Sequence, residues 1–335
     1  MGASGSLFRF PGACGYDPAS PHVLYTGGAD QQVRKIDINN GAVTHVAGRY
    51  GGSDGHNQPY PLAGPRNPAC QDGPASSATF GYQLSDIAID AQNDVGYVCD
   101  SWNHAVRKVT LSTGYVTRFL GPCGYWSGGP SGQGQAHDGT GLGAGLSRPS
   151  SMVIHRGQQV GYIADTGNQA IRKVDLATAA VTTPFGRLRA KGSVDGTGTA
   201  ARFSHPQAMA IDEANNMLYV SEHPHPNPWN VRKIDLATGL VTTVYRATDP
   251  KANVAGITVI SRDVLYISLG HTIAKLVVST GQMTVMVGKT DQKGAVDGVG
   301  AAARLNGPAR HAYVAGKLYV ADSRNHVYRE ISPDS

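Results

Sequence analysis

The sequence lacks long apolar runs and has few charged residues. No stretch of its 335 residues approaches the roughly 20 apolar residues that a membrane-spanning helix needs. The first six residues contain neither a basic nor an apolar segment, so they do not predict a signal peptide. These observations leave the compartment open. Met1-Gly2-x-x-x-Ser6 matches the N-myristoylation pattern, so we expect membrane attachment only if Gly2 is acylated.

Charged residues make up only 16% of the chain, which carries a net charge of +5. The basic residues are spread along the sequence and form no run, which argues against nucleic acid as a partner. The four cysteines form no Cys-x-x-Cys pair, so they predict no zinc knuckle. Cys70 and Cys123 lie in Gly/Pro-rich insertions and could form a disulfide, whereas Cys99 has the surroundings of a small core residue.

The 43 glycines indicate many tight turns, and a short basic segment recurs between them. An apolar run ending in an acidic or small residue precedes each copy, and most copies are followed by a turn and a further strand. Each unit therefore predicts four antiparallel strands, and six such units predict a propeller. The copies of the basic segment cover 33–37, 106–110, 171–175 and 231–235, with weaker copies at 273–276 and 327–331.

The segment 162–175, Tyr-Ile-Ala-Asp-Thr-Gly-Asn-Gln-Ala-Ile-Arg-Lys-Val-Asp, resembles an NHL repeat. The resemblance implies one all-β domain over residues 1–335, a six-bladed β-propeller with four-stranded antiparallel blades. The last unit lacks its outermost strand, so we expect a strand over residues 7–10 to join the last blade and close the ring. The expected blades cover approximately 11–48, 79–121, 145–186, 202–246, 252–288 and 304–333.

Two motifs recur once per repeat and are therefore interpreted as architectural. Asp-x-x-Asn, as at Asp165 and Asn168, is typical of a tight turn whose acid also pairs with a strand arginine such as Arg172. Asp-Gly, as at Asp195, is typical of a connection between blades, with Phe203 plugging the gap that follows. Neither a phosphate-binding Gly-Lys-Ser/Thr loop nor a Gly-x-Ser-x-Gly nucleophile elbow is present in the sequence.

Histidine is the main irregularity of the repeat. The fourth blade carries Glu222-His-Pro-His-Pro-Asn-Pro-Trp where its sisters carry a short turn, and two histidines with an acid could bind zinc. Related propellers with histidine-bound metals suggest that histidines of several blades could converge on a zinc or calcium ion at the central channel. The sequence assigns no definite cofactor and no catalytic residue. The candidate metal ligands are His104, His223, His225, His271 and His326.

Insertions over 49–73 and 121–141 are longer than ordinary connections, and long loops on a rigid scaffold commonly carry binding sites. Their aromatic residues, together with tryptophans of the repeats, could form an anchor surface. Polar decoration without a binding role is an equally good interpretation of these insertions. The candidate binding residues are Tyr60, Trp102, Tyr125, Trp126 and Trp229.

The sequence favours a non-enzymatic scaffold that binds a protein partner or larger assembly through one face and the insertions. A metal-dependent hydrolase or lyase with a site at the central channel is the first alternative. Binding of single-stranded RNA by the repeat arginines Arg34, Arg107, Arg172 and Arg232 is the second. Because these arginines recur at one position of the repeat, we expect them to form pairs between blades instead.

Overall fold

Each repeat of the sequence folds into one antiparallel sheet, and six sheets are arranged as a β-propeller. The computed structural model describes residues 8–49, 70–123, 134–249 and 252–333. Helical structure in these ranges is confined to seven single 3₁₀ turns, and no helix there is long and apolar enough to cross a membrane. The turns are Ser101–Asn103, Gly141–Gly143, Arg156–Gln158, Thr166–Asn168, Gly198–Ala200, Gly300–Ala302 and Ser323–Asn325.

Blades 1, 2 and 5 each contain four strands that pair in chain order. Blade 1 consists of β1 (Ala13–Tyr16), β2 (Val23–Gly27), β3 (Val33–Asp37) and β4 (Val43–Ala47). Blade 2 consists of β5 (Leu84–Asp90), β6 (Val95–Asp100), β7 (Ala105–Thr110) and β8 (Val116–Leu120). Blade 5 consists of β19 (Val254–Ser261), β20 (Val264–Leu269), β21 (Thr272–Val277) and β22 (Gln282–Gly288).

Blades 3 and 4 have a fifth, two-residue strand, because the Asp-Gly connection that precedes each blade pairs with its outermost strand. Blade 3 has β9 (Gly139–Thr140) beside β13 (Ala180–Gly186), after β10 (Pro149–His155), β11 (Val160–Asp165) and β12 (Ala170–Asp175). Blade 4 has β14 (Gly196–Thr197) beside β18 (Leu240–Arg246), after β15 (Pro206–Asp212), β16 (Met217–Glu222) and β17 (Asn230–Asp235).

Blade 6 has three strands among the described residues, β23 (Pro308–Val314), β24 (Lys317–Asp322) and β25 (Val327–Ile331). The expected closing strand over residues 7–10 is not confirmed. Residue 7 lies outside the described ranges, and Phe8–Phe10 form no strand, since Phe10 has a left-handed φ of 44°. The Phe10 N–H instead donates a hydrogen bond to Nδ1 of His326 in blade 6, 3.0 Å away. Because the Arg9 carbonyl accepts from Ala29 of blade 1, this short segment lies across the seam between the two blades.

The apolar core lies between neighbouring blades. β6 and β11 are buried at every residue, as expected for strands covered on both faces, whereas the outermost β22 has a single buried residue. Phe203 is fully buried between residues of blades 3 and 4, and Leu305 lies likewise between blades 5 and 6. The side chain after each Asp-Gly connection thus fills the wedge between two sheets, which fixes their spacing.

Candidate binding face

Both long insertions begin at one face of the propeller. In blade 2, Leu84 at the start of β5 pairs with Asp100 at the end of β6, and Val106 near the start of β7 pairs with Leu120 at the end of β8. The turn between the second and third strands therefore lies at the same end as the connections between blades. We call this end the insertion face. Both insertions begin at this face, after β4 and β8, and Cys70 and Cys123 lie beside Asp100 there. Gly73 and Gly139–Thr140, in contrast, pair with the starts of β8 and β13 toward the opposite end. Tyr60, Tyr125 and Trp126 lie outside the described residues.

A disulfide joins the two insertions. Cys70 and Cys123 are bonded, with their Cα atoms 6.1 Å apart, so the bridge left open by the sequence is present in the structure. Their sulfurs and a carboxylate oxygen of Asp100 lie within 4.8 Å of one another and form the one such group of three possible metal ligands within the described ranges. Sulfurs joined in a disulfide offer no thiolate to a metal, so the group serves here as a covalent clamp beside the turn 101–103.

Trp102 stands on this clamped turn at the insertion face. Its ring is half-buried, and the guanidinium carbon of the exposed Arg148 lies 5.3 Å from the ring centroid. The half-buried Tyr82 meets the same ring edge to face at 6.3 Å. We call Tyr82, Trp102 and Arg148 the aromatic platform. Tyr82 and Arg148 carry no signal of this role in the sequence, because the contact depends on how blades 2 and 3 meet.

Trp229 does not offer the exposed anchor that the sequence predicts. It is 6% exposed and packs in the core shared by blades 4 and 5. Its ring stacks on His223 with an interplanar angle of 4° and a centroid distance of 4.8 Å. The Pro-rich loop of blade 4 therefore folds its tryptophan inward. Of the two candidate tryptophans among the described residues, Trp102 is the one that remains on the surface.

The five candidate metal-binding histidines do not converge. All five are described, and none belongs to a group of three possible ligands within coordination distance of one another. His223 and His225 lie near each other, with ring centroids 5.7 Å apart. Burial, and then the neighbouring His225, lowers the pKa of His223, while burial followed by Arg324 lowers that of His271. Lowered pKa values favour neutral rings, but neutrality alone makes no metal site.

The other three histidines hold neighbouring blades together. His104 and His326 follow a 3₁₀ turn with left-handed φ values of 55° and 59°, which place each ring over the next seam. Nδ1 of His104 accepts the N–H of Arg148 at 3.1 Å, and Nδ1 of His271 accepts that of Gly307 at 3.0 Å. His326 makes the equivalent bond to Phe10. These contacts account for the recurrence of histidine without a metal.

A buried ionic network underlies the insertion face in most blades. In blade 3, Arg172 and Asp165 are both fully buried and 2.7 Å apart, and Arg172 also reaches Asp138 of the Asp-Gly connection at 3.0 Å. Asn168 Nδ2 donates to Oδ2 of Asp165 at 2.8 Å, the same oxygen that accepts from Arg172. Burial raises the pKa of Asp165, and Arg172 partly offsets this effect. The architectural interpretation of both repeated motifs agrees with these contacts.

The same network makes the repeat arginines a poor surface for RNA. Arg107, Arg172 and Arg232 have no exposed side-chain area, and each is paired with two acids. Arg34 is also paired, with Asp30, and its side chain is only 14% exposed. Phosphate groups therefore cannot reach these guanidinium groups in the folded propeller.

Comparison with known proteins assigns the repeat. The chain is 29% identical over 157 residues to "NHL repeat-containing protein 2" of Bos taurus and 28% identical over 152 residues to its Homo sapiens counterpart. The chain is an NHL-repeat β-propeller. These matches cover 45% and 44% of the chain but only 20% of each relative. No family model matches the chain.

The NHL propeller is also 30% identical over 168 residues to "Protein SUPPRESSOR OF QUENCHING 1, chloroplastic" of Arabidopsis thaliana, covering 50% of the chain and 15% of that protein. Solved propellers share the fold at low identity. A chain of the nidogen/laminin complex has a TM-score of 0.60 at 11% identity, covering 93% of this chain and 89% of its own. A gluconolactonase from Xanthomonas campestris has a TM-score of 0.55 at 12% identity, covering 94% and 84%.

Proposed function

We propose that this NHL propeller is a scaffold that binds a protein partner on its insertion face, with the aromatic platform as the anchor. The observation that supports the proposal is the half-exposed Trp102 ring held between Tyr82 and the Arg148 guanidinium. Tryptophan, tyrosine and arginine are the residues most enriched at the energetic centres of protein interfaces. A partner that covers this platform would desolvate all three at once.

The platform is also rigid before any partner arrives. Asp100, just before Trp102, is fully buried and accepts hydrogen bonds from the Gly81 N–H at 2.9 Å and from Asn103 at 2.8 Å. The disulfide fixes the insertions next to the same turn. Because ordering side chains and loops costs free energy on association, a surface ordered in advance binds more tightly than a mobile one.

The neighbour in the nidogen/laminin complex supports this use of the fold, since that propeller was solved in a protein complex. It supports the general role only, because a likeness at 11% identity concerns the fold.

A photo-crosslinking experiment tests the proposal. A photoreactive amino acid is placed at Arg148 on the insertion face, or at Tyr115, which is 47% exposed at the opposite end of blade 2. Both variants are irradiated in extract of the source organism. Proteins that crosslink to position 148 and not to position 115 are identified and purified. We expect Trp102→Ala to weaken the affinity of such a partner at least about tenfold, because anchor truncations typically cost 2 kcal/mol or more.

Tyr115→Ala is the matched control, because it removes an exposed aromatic side chain from the same blade and should leave the affinity unchanged. Equal crosslinking from both ends, or equal loss of affinity in the two alanine variants, would refute docking on the insertion face. Retention of the denaturation midpoint by Trp102→Ala separates lost binding from lost folding.

A further inference from the structure

The first strands of all six blades surround a cavity of about 160 Å³ at the centre of the propeller. At one height along the channel axis, which we call the Arg310 level, each first strand places one residue from an equivalent position. For example, Asp86 pairs with Cys99, and Ser151 pairs with Ala164. Cys99 and Ala164 each stand one residue before the acid that ends the second strand of their blade. The six residues at this level are Cys14, Asp86, Ser151, Ala208, Gly256 and Arg310.

Arg310 spans this level from blade 6 to the opposite side. It is 8% exposed, and its Nη2 donates to the carbonyls of Ser150 in blade 3, at 2.8 Å, and Gln207 in blade 4, at 3.2 Å. Its Nε lies 3.8 Å from Oδ2 of Asp86 in blade 2, beyond hydrogen-bonding distance. Nη1 is buried and has no hydrogen-bond partner. A charged donor left without an acceptor is costly, so Nη1 is the point at which an acceptor from a ligand would be favourable.

Asp86 is already satisfied elsewhere, so it is not that missing acceptor. Its carboxylate accepts the Ser151 hydroxyl at 2.5 Å and the backbone N–H groups of Ile87 and Met152 at 3.0 and 3.4 Å. The other titratable groups near Arg310 are neutral. Burial raises the pKa of the Cys14 thiol to about 12 and lowers that of His311 to about 3.

Apolar side chains form part of the cavity wall. Met152, Met209 and Ile257 line it from blades 3, 4 and 5. Arg156 lines the far end, where it pairs with Glu213 at 2.8 Å and with Asp17 at 3.4 Å. A volume of about 160 Å³ accommodates a molecule the size of benzene, that is, about six non-hydrogen atoms. At the Arg310 end, the cavity thus combines a buried guanidinium nitrogen that has no hydrogen-bond partner with the apolar side chains of Met152, Met209 and Ile257.

We propose that this central cavity binds a small aliphatic monocarboxylate, whose carboxylate accepts hydrogen bonds from Nη1 of Arg310 and whose hydrocarbon chain contacts Met152, Met209 and Ile257. Hydrogen bonds between a guanidinium and a carboxylate are shorter and stronger than those to a neutral acceptor. The ligand therefore supplies what Asp86 does not, a carboxylate within hydrogen-bonding distance of the free edge of Arg310.

Nuclear magnetic resonance titration with propionate and propionamide tests the proposal. The two compounds have nearly the same shape and differ in charge, and ionic strength is held constant with sodium chloride. We expect saturable binding of propionate, with propionamide at least about tenfold weaker because it cannot make charge-assisted bonds. Arg310→Gln should abolish propionate binding, whereas Arg156→Gln, which changes the far end of the same cavity, should leave the affinity within about twofold, since its guanidinium is paired with acids.

Met209→Trp provides an independent variant, because it fills the cavity and retains Arg310. If Arg310→Gln does not fold, loss of propionate binding in Met209→Trp supports the site and unchanged binding refutes it. Equal affinities for propionate and propionamide would overturn the carboxylate assignment. Absence of saturable binding by propionate and butyrate, or persistence of binding in folded Arg310→Gln, would overturn the site itself.

Discussion

Replacing Arg172 by alanine is expected to destabilise the propeller severely. Arg172 is fully buried and donates four hydrogen bonds, to the carbonyls of Gly145 and His137 and to the carboxylates of Asp165 and Asp138. Its removal leaves Asp165 buried without its cationic partner. Breaking a buried ion pair in this way costs about 3–5 kcal/mol, a large part of the 5–15 kcal/mol by which typical domains are stable.

Blade 5 shows that the network has an apolar alternative. Leu269 ends its second strand where Asp165 ends that of blade 3, and Ala274 takes the place of Arg172 in the third strand. The double variant Asp165→Leu/Arg172→Ala reproduces that pair in blade 3. Because no charge then remains unpaired between these two positions, we expect it to be more stable than Arg172→Ala by about 1–3 kcal/mol.

Urea denaturation followed by circular dichroism measures these differences, with Lys173→Ala as the control from the same strand. Lys173 is only partly buried, so this control should shift the unfolding free energy by no more than about 0.5 kcal/mol. A cost under about 1 kcal/mol for Arg172→Ala, roughly the value of an exposed pair, would contradict a structural role for the buried ion pair. So would a double variant in which the effects of the two single substitutions simply add.

Three further outcomes follow from buried or bridging groups. Burial, followed by Arg310, lowers the pKa of His311 from 6.5 to about 3. Between these pH values the unfolded chain binds a proton at His311 and the folded chain does not, so the free energy of unfolding falls as the pH falls. In urea titrations, His311→Asn should therefore remove about 2 kcal/mol of the stability that is lost between pH 7 and pH 5. Reducing Cys70–Cys123, which are 53 residues apart, should lower the unfolding free energy by up to about 4 kcal/mol in matched titrations with and without dithiothreitol. His326→Ala should speed hydrogen exchange at the Phe10 amide roughly fivefold while the global midpoint stays unchanged, since one hydrogen bond contributes about 1 kcal/mol.

Controls distinguish each of these outcomes from general damage. The exposed His22→Asn should leave the acid dependence unchanged, and an unaltered slope in His311→Asn would contradict the buried-histidine argument. A Cys70→Ser/Cys123→Ser variant that matches the oxidised protein in stability would show that the bridge does not constrain the unfolded chain. Equal protection of Phe10 with and without the His326 ring would show that the seam depends on other contacts.

The repeat was sufficient to predict the propeller because its signals are local. Turn residues, alternating strands and the basic segment recur within about 60 residues, and each copy specifies one sheet. The architectural roles of Asp165 and Arg172 also follow from recurrence. The expected strand over 7–10 was not confirmed, since nothing in Phe8–Phe10 itself shows that Arg9 bonds to blade 1 and Phe10 to blade 6.

The site residues were harder to predict because they depend on contacts between blades. His104 and His326 look like possible ligands in the sequence, yet each ring already accepts a backbone N–H across a seam. Trp229 lies in a Pro-rich loop that suggests exposure, but the loop turns it into the core. The sequence does single out Arg310, because four of the five equivalent positions in the other first strands hold small uncharged residues. Its partners could not be predicted, because they lie in three other blades.

Every described sheet takes its strands from one continuous stretch of chain, including the two short strands contributed by Asp-Gly connections. No ladder of backbone hydrogen bonds therefore links one described blade to the next; side chains and single hydrogen bonds hold the seams. New chain ends could then be opened between blades 3 and 4, for example at residues 187–195, with residues 1 and 335 joined by a linker, without cutting any described sheet. Because each described blade is one continuous stretch of chain, duplication or exchange of blades would likewise leave every described sheet intact.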